Sequence, residues 1–230
     1  MMIIPKFLPS LILLLPLLSF SNAISSSSVT KPARFITNKM CPFAQKAWIA
    51  LEASNADFSL EQLSLYGAGG KPDWFWELNP QGTVPVLVVA GDCDEDVVLP
   101  DSDLILNDIA QVPGGETLIP TDPESVESMK KFRKCLSEFL AIGKKAVLGG
   151  SKGPMWNKLK ELDALVVGPY VCGDDVTVAD CAGFPFLWRI ENEYGNLSEK
   201  NCPNLAKWLQ TCKQNPAFSK TVQSSWWWWW

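Results

Sequence analysis

The chain has 230 residues, 47% of them hydrophobic and 20% charged, a composition that supports a packed globular core in one large domain or two small ones. Its net charge of -5 excludes nucleic acid and anionic membrane as principal partners, since both require clustered Lys and Arg. Histidine is absent altogether, which removes Ser-His and Cys-His nucleophile pairs, histidine bases and histidine metal ligands, so no metal is expected.

In chain order, Lys6 precedes an apolar stretch over residues 7–20, and Ser21-Asn22-Ala23 offers small residues at a signal-peptidase site. Residues 1–23 therefore read as a cleaved secretory signal, too short and too interrupted by proline to span a membrane. Residues 24–33 are hydroxyl-rich and free of acids, which suits either a flexible linker or a transit-like segment. The expected destination is the secretory pathway, with delivery to a plastid through that route as the alternative.

Residues 34–110 alternate strand and helix signals. Residues 34–37 read as a strand, 42–54 as a helix, 58–65 as a second strand and 71–78 as a short helix with Pro72 in its first turn. Residues 84–89 and 96–99, separated by a polar turn, read as a hairpin, and 101–110 as a closing helix. The order β-α-β-α-β-β-α is that of a thioredoxin-like α/β domain, assigned to residues 34–111. Residues 112–121 carry the proline and glycine punctuation of a linker.

From residue 122 onward apolar residues recur at helical spacing, Val126, Met129, Phe132, Leu136, Phe139 and Leu140 first and then Leu159, Leu162 and Leu165. An all-helical bundle over residues 122–220 follows. Thr177 and Asp180 form a capping box at the start of one of its helices. The closing run Trp226 to Trp230 has no amphipathic pattern, and residues 221–230 are set aside as an unstructured tail, a hydrophobic docking segment being the other reading.

Seven cysteines are dispersed along the chain, at positions 41, 93, 135, 172, 181, 202 and 212. The odd number leaves at least one without an intramolecular partner, and the wide spacing suits buried small hydrophobes plus one functional thiol. A pairing of Cys202 with Cys212 stays open, because sequence does not fix connectivity. Cys41 is the informative one. In Cys41-Pro42-Phe43-Ala44-Gln45-Lys46 it precedes a proline suited to the first helical position, so Cys41 reads as the N-cap. Unpaired N–H groups and the positive end of the helix dipole stabilise thiolates at such positions. With no histidine available, further activation must come from a cation, and Lys39 is the nearby candidate.

Two downstream elements accompany this thiol. Val84-Pro85 opens a strand; X-Pro bonds are cis in only about 5–6% of cases, so trans is favoured on frequency. A cis bond would let the Val84 backbone pair with a peptide-like ligand as an added strand. Asp101-Ser102 begins a helix, where it can either cap the helix or hold the charged groups of a ligand. Lys71 taken alone is a solvated surface lysine.

Taken together, Cys41-Pro42-Phe43-Ala44-Gln45, Lys71-Pro72-Asp73-Trp74-Phe75, Asn79-Pro80-Gln81-Gly82-Thr83-Val84-Pro85-Val86-Leu87 and Asp101-Ser102-Asp103-Leu104-Ile105 resemble the cysteine-type glutathione transferase superfamily. The resemblance runs from residue 34 to residue 219 and points to the omega, lambda and dehydroascorbate reductase group. Gly168-Pro169-Tyr170-Val171-Cys172-Gly173-Asp174-Asp175-Val176-Thr177-Val178-Ala179-Asp180 is most similar to plant-type dehydroascorbate reductases. It implies that Cys41 is the redox thiol and that Pro42, Phe43, Lys71, Val84, Pro85, Asp101 and Ser102 bind glutathione, with Pro85 cis. The short segment Thr37-Asn38-Lys39-Met40 departs from the longer loop of the plant enzymes and is closer to omega and lambda members.

Ala44 stands where a dithiol motif would carry its resolving cysteine, so monothiol chemistry is expected. Cys41 forms a mixed disulfide with glutathione, and a second glutathione resolves it. The expected activity is a glutathione-dependent thiol oxidoreductase acting on dehydroascorbate or a mixed disulfide, as a monomer. Conjugation of electrophiles is the nearest rival, and a non-catalytic ligand carrier or chloride-channel-like relative is the rival of a different class.

Overall fold

Strand β1 (Ala33–Thr37) lies at the centre of a four-stranded sheet of order β2-β1-β3-β4. It pairs in parallel with β2 (Phe58–Gln62), reached through helix α1 (Pro42–Ala53), and antiparallel with β3 (Val86–Ala90). Strand β4 (Asp96–Leu99) closes the hairpin with β3. Short helices α2 (Asp73–Leu78) and α3 (Ser102–Asn107) complete this half. The second half is helical: α4 (Pro123–Val147), α5 (Gly153–Ala164), α6 (Val178–Tyr194), α7 (Pro203–Gln214) and α8 (Pro216–Ser219). This computed structural model describes residues 32–64, 70–91, 96–195 and 197–223, with Val147 by its backbone alone. The α/β half followed by a helical half is the architecture expected from the sequence.

Alternation along the strands assigns side chains to two cores. On β1 and β3, Phe35 and Leu87 enter a large core that continues into the helical half through Phe132, Phe139, Phe184 and Trp208. Ile36, Val86 and Val88 face the opposite way into a smaller core with Ala44, Leu63, Phe75 and Val84. Each fully buried Phe, Leu or Ile contributes roughly 1.5–3 kcal/mol relative to exposure, so the large core ties the two halves together. Helix α1 lies at this junction, packed against α3, α6 and α8.

Several boundaries differ from the sequence reading. Strand β2 ends at Gln62, not at residue 65, because β1 ends at Thr37, whose carbonyl accepts the last rung from the Leu63 N–H at 2.7 Å. Leu63 then turns into the smaller core. Helix α2 begins at Asp73, since Pro72 takes the extended N-cap conformation and proline disfavours the helical conformation of Lys71 before it. The helix expected over 101–110 breaks after Asn107, and Ile109–Gln111 forms a separate 3-10 turn.

The 112–121 segment is more than a tether: it carries the 3-10 turn Gly115–Leu118 and buries Val112 and Leu118. Gly114 within it has φ +82, and a Cβ there would strike the Ser54 carbonyl at the end of α1. The capping box at Thr177 and Asp180 forms as expected. Cys202 and Cys212 are free, buried thiols, which removes the open pairing. The leader at 1–23, all but the end of segment 24–33, Cys93 with the hairpin turn at 92–95, and tail residues 224–230 lie outside the described residues. Among the described residues, no helix is long and apolar enough to cross a membrane.

Candidate active site

Cys41 is the N-cap of α1, in extended conformation, with Pro42 at the first helical position. Its carbonyl accepts the first helical hydrogen bond from the Gln45 N–H at 2.9 Å, while its thiol makes no capping bond. The sulfur is thus left free at a helix N-terminus. Asn38 fixes the approach: its Nδ2 donates to the Leu63 carbonyl at 2.9 Å, its Oδ1 accepts from the Met40 N–H at 3.0 Å, and its carbonyl accepts from the Cys41 N–H at 2.9 Å. The half-buried Cys41 packs on the smaller core, of which Ala44 and Val84 are buried members.

The Val84-Pro85 peptide bond is cis, as the family resemblance implied and against the frequency argument. The loop before it is fixed by buried Asn79, whose Nδ2 donates to the Thr83 carbonyl at 2.8 Å. Asp101 caps α3, its Oδ1 accepting from the N–H groups of Asp103 at 2.7 Å and Leu104 at 3.1 Å, so the capping reading of this residue holds. Ser102 beside it is buried, on a helix that packs against α1. Phe43 is 46% exposed and meets Phe186 of α6 edge-on, ring centres 5.1 Å apart.

The two candidate lysines lie against aromatic rings. The Lys39 ammonium lies 5.8 Å from the Trp48 ring centre, and that of Lys71 lies 5.1 Å from the Trp76 ring centre. A further cation, close enough to interact electrostatically with Cys41, comes from the helical half of the molecule. Arg189 on α6 donates through Nη1 to Gln45 Oε1 at 2.6 Å and to the Pro185 carbonyl at 2.7 Å, and through Nη2 to the Met40 carbonyl at 3.4 Å. Its guanidinium therefore touches the residue before Cys41 and the side chain one turn after it. Burial pushes the Arg189 pKa down to about 10, opposed by the Cys41 charge, and the group stays cationic at neutral pH. No local sequence signal marks Arg189, which lies 144 residues from Gln45.

Residues 40–112 match the glutathione S-transferase N-terminal domain and residues 155–216 the corresponding C-terminal domain. A probable glutathione S-transferase DHAR4 of Arabidopsis thaliana is 30% identical over 188 residues, covering 79% of this chain and 83% of the relative. A probable chloroplastic glutathione S-transferase DHAR2 of Oryza sativa subsp. japonica is 26% identical over 206 residues, covering 86% and 70%. In three dimensions, glutathione transferase Omega 1C from Trametes versicolor superimposes with a TM-score of 0.73 at 24% identity, over 84% of this chain and 92% of that one. With the thiol-bearing helix start and the cis proline in the same fold, the chain belongs to the glutathione S-transferase family, in its cysteine-type omega and dehydroascorbate reductase group.

Proposed function

We propose that the protein is a glutathione-dependent thiol oxidoreductase that works through Cys41, acting as a monomer on a glutathione mixed disulfide or on dehydroascorbate. The observation that carries the reading is the Cys41 sulfur, uncapped at the start of α1 and flanked by the Arg189 guanidinium, with Ala44 where a second thiol would stand. A positive helix end and a buried cation both favour the thiolate, which is the attacking species in disulfide exchange. The thiolate attacks the glutathionyl sulfur of a mixed disulfide, the old S–S bond breaks, and the partner leaves as a thiolate. A glutathione thiolate then attacks the Cys41-bound glutathionyl sulfur, releasing glutathione disulfide and restoring the Cys41 thiolate. On dehydroascorbate the balance is two glutathiones consumed for one ascorbate and one glutathione disulfide.

Glutathione in this reading lies along Val84 as an added strand, with Pro42, Phe43, Pro85, Lys71, Asp101 and Ser102 around it. The relatives named for dehydroascorbate reductase and the omega class support the redox assignment over conjugation. The test is steady-state reduction of dehydroascorbate and of a glutathionylated disulfide by protein lacking residues 1–31, with Cys41→Ser beside it. Turnover of either substrate that disappears in Cys41→Ser is the expected result, and turnover that survives would remove the redox mechanism. Entry into the secretory pathway through residues 1–23 belongs to the same proposal and is read from a fluorescent fusion of residues 1–40.

A further inference from the structure

Helices α1, α3, α4 and α6 line an open cleft of about 320 Å³, walled in part by Phe43, two residues after Cys41. Its wall is apolar along Phe43, Leu136 and Leu140, and its charged groups are Lys46, Arg133 and Lys144 against the single carboxylate of Asp103. The charges are not balanced. Lys46, only 3% exposed, pairs with Asp103 at 2.9 Å, and Arg133 approaches the same carboxylate at 3.5 Å. One acid thus serves two cations, and at 3.5 Å much of the Arg133 donor fork is left over. Lys144, exposed on α4, makes no ion pair among the described residues. A ligand placed there meets an apolar surface for its body and surplus positive charge for an anionic end, the arrangement that recognises carboxylates.

The cleft adjoins the reaction centre through two elements. Phe43 follows Cys41 by two residues, and α6 supplies both Ala182 to the cleft wall and Arg189 to the carbonyl of Met40, the residue before Cys41. We infer that Arg133 and Lys144 make this cleft the seat of a small carboxylate-bearing acceptor, the non-glutathione half of a mixed disulfide. The inference rests on the proposed redox role of Cys41 and names the substrate class for it. When the Cys41 thiolate takes the glutathionyl sulfur, the S–S bond breaks and the carboxylate-bearing thiolate departs from the cleft.

The experiment compares two probes with the same glutathione half, the mixed disulfides of glutathione with 3-mercaptopropionate and with 2-mercaptoethanol. Titrated calorimetrically into Cys41→Ser protein, where exchange is blocked, the carboxylate probe is expected to bind about tenfold more tightly at low salt. That preference should shrink at high salt, as screening requires, and fall to near unity when Lys144→Ala or Arg133→Gln is added. Equal affinities, no measurable binding of the carboxylate probe, or a preference that survives both substitutions would overturn the inference. Wild-type turnover separates it from the reading beneath it. Equal kcat/KM on both probes removes the anionic selectivity and keeps the redox function, whereas a binding preference with no turnover of either probe keeps the selective cleft and removes the redox function. A rise in KM for glutathione alone in Lys144→Ala would assign the carboxylate seat to the resolving glutathione and remove the acceptor from it.

Discussion

Arg189 on α6 and Gln45 on α1 meet at 2.6 Å, a guanidinium Nη1 donating to a buried amide oxygen. The same amide donates from Nε2 to the Thr221 carbonyl at 3.2 Å and hydroxyl at 3.0 Å, so a polar chain runs from the segment after α8 through α1 to the cation beside Cys41. Gln45 has both ends satisfied and therefore fixes where the Arg189 charge stands. That is a positioning role, exerted on the thiol through the guanidinium.

The first prediction concerns that charge. Removing a cation near a reacting thiol in a partly desolvated setting costs on the order of 1 kcal/mol, about fivefold in rate. Arg189→Ala should slow iodoacetamide alkylation of Cys41 about three- to tenfold. Arg189→Lys, which keeps a charge, should recover part of the rate. Lys39→Ala, whose ammonium lies over Trp48, should slow it less than Arg189→Ala does. The readout is the mass of the Cys41 peptide, which separates it from other cysteines such as half-buried Cys172, whose thiol burial pushes up to about 11. An unchanged rate in Arg189→Ala would separate the guanidinium from the thiol's reactivity.

Gln45 itself should matter to stability as well as to chemistry. Gln45→Ala leaves Arg189 Nη1 short of a partner and releases Thr221, in a region where Gln45 and Thr221 are almost wholly buried. A loss of about 1–3 kcal/mol is expected in urea unfolding. Thr221→Ala should cost less, and the double substitution less than the sum, because the two residues share one network.

The segment between the two halves offers a backbone test. Gly114 combines φ +82 with a missing Cβ whose place is taken by the Ser54 carbonyl. Gly114→Ala therefore meets both a conformational penalty of about 1–2 kcal/mol and a clash with backbone that cannot swing away. Gly149, at φ +95 with nothing within 4 Å of its absent Cβ, carries the first penalty alone. Thermal unfolding should rank Gly114→Ala well below Gly149→Ala, and equal melting points would mean that the linker is not held against α1.

Much of this architecture was legible in local signals, and the failures have a common physical form. The strands were visible as short apolar runs, the Thr177 to Asp180 box as a four-residue pattern, and Cys41 as an N-cap because Pro42 follows it. What escaped depended on partners distant in sequence. The end of β2 is set by the end of β1, and the burial of polar Gln45 and Lys46 on α1 depends on Thr221, Arg189 and Asp103. Lys39 was visible from its proximity along the chain, whereas no local signal announced the Arg189 guanidinium that α6 brings to the Met40 carbonyl. The cis bond at Pro85 ran against frequency, and only the family pattern anticipated it.

The last prediction follows from Asp180, the one buried carboxylate among the described residues. Asp180 is 0% exposed and accepts four hydrogen bonds, each at 2.8 Å, from the Val171 N–H, the Trp208 indole, and the Thr177 N–H and hydroxyl. Burial raises its pKa, and the four donors oppose that rise without cancelling it. A carboxyl whose folded pKa is raised binds protons more tightly in the native state, so its contribution to stability is complete below the unfolded value and is lost as pH climbs through the folded one. Asp180→Asn turns an amide N–H2 toward donors at one oxygen position at every pH, but no longer buries a charge. Its penalty in urea unfolding should therefore be larger near pH 4 than near pH 7. Asp180→Ala, which strands all four donors, should cost more than about 3 kcal/mol at either pH. A penalty for Asp180→Asn that grew with rising pH would mean that the donors outweigh burial and that this carboxylate stays charged in the core.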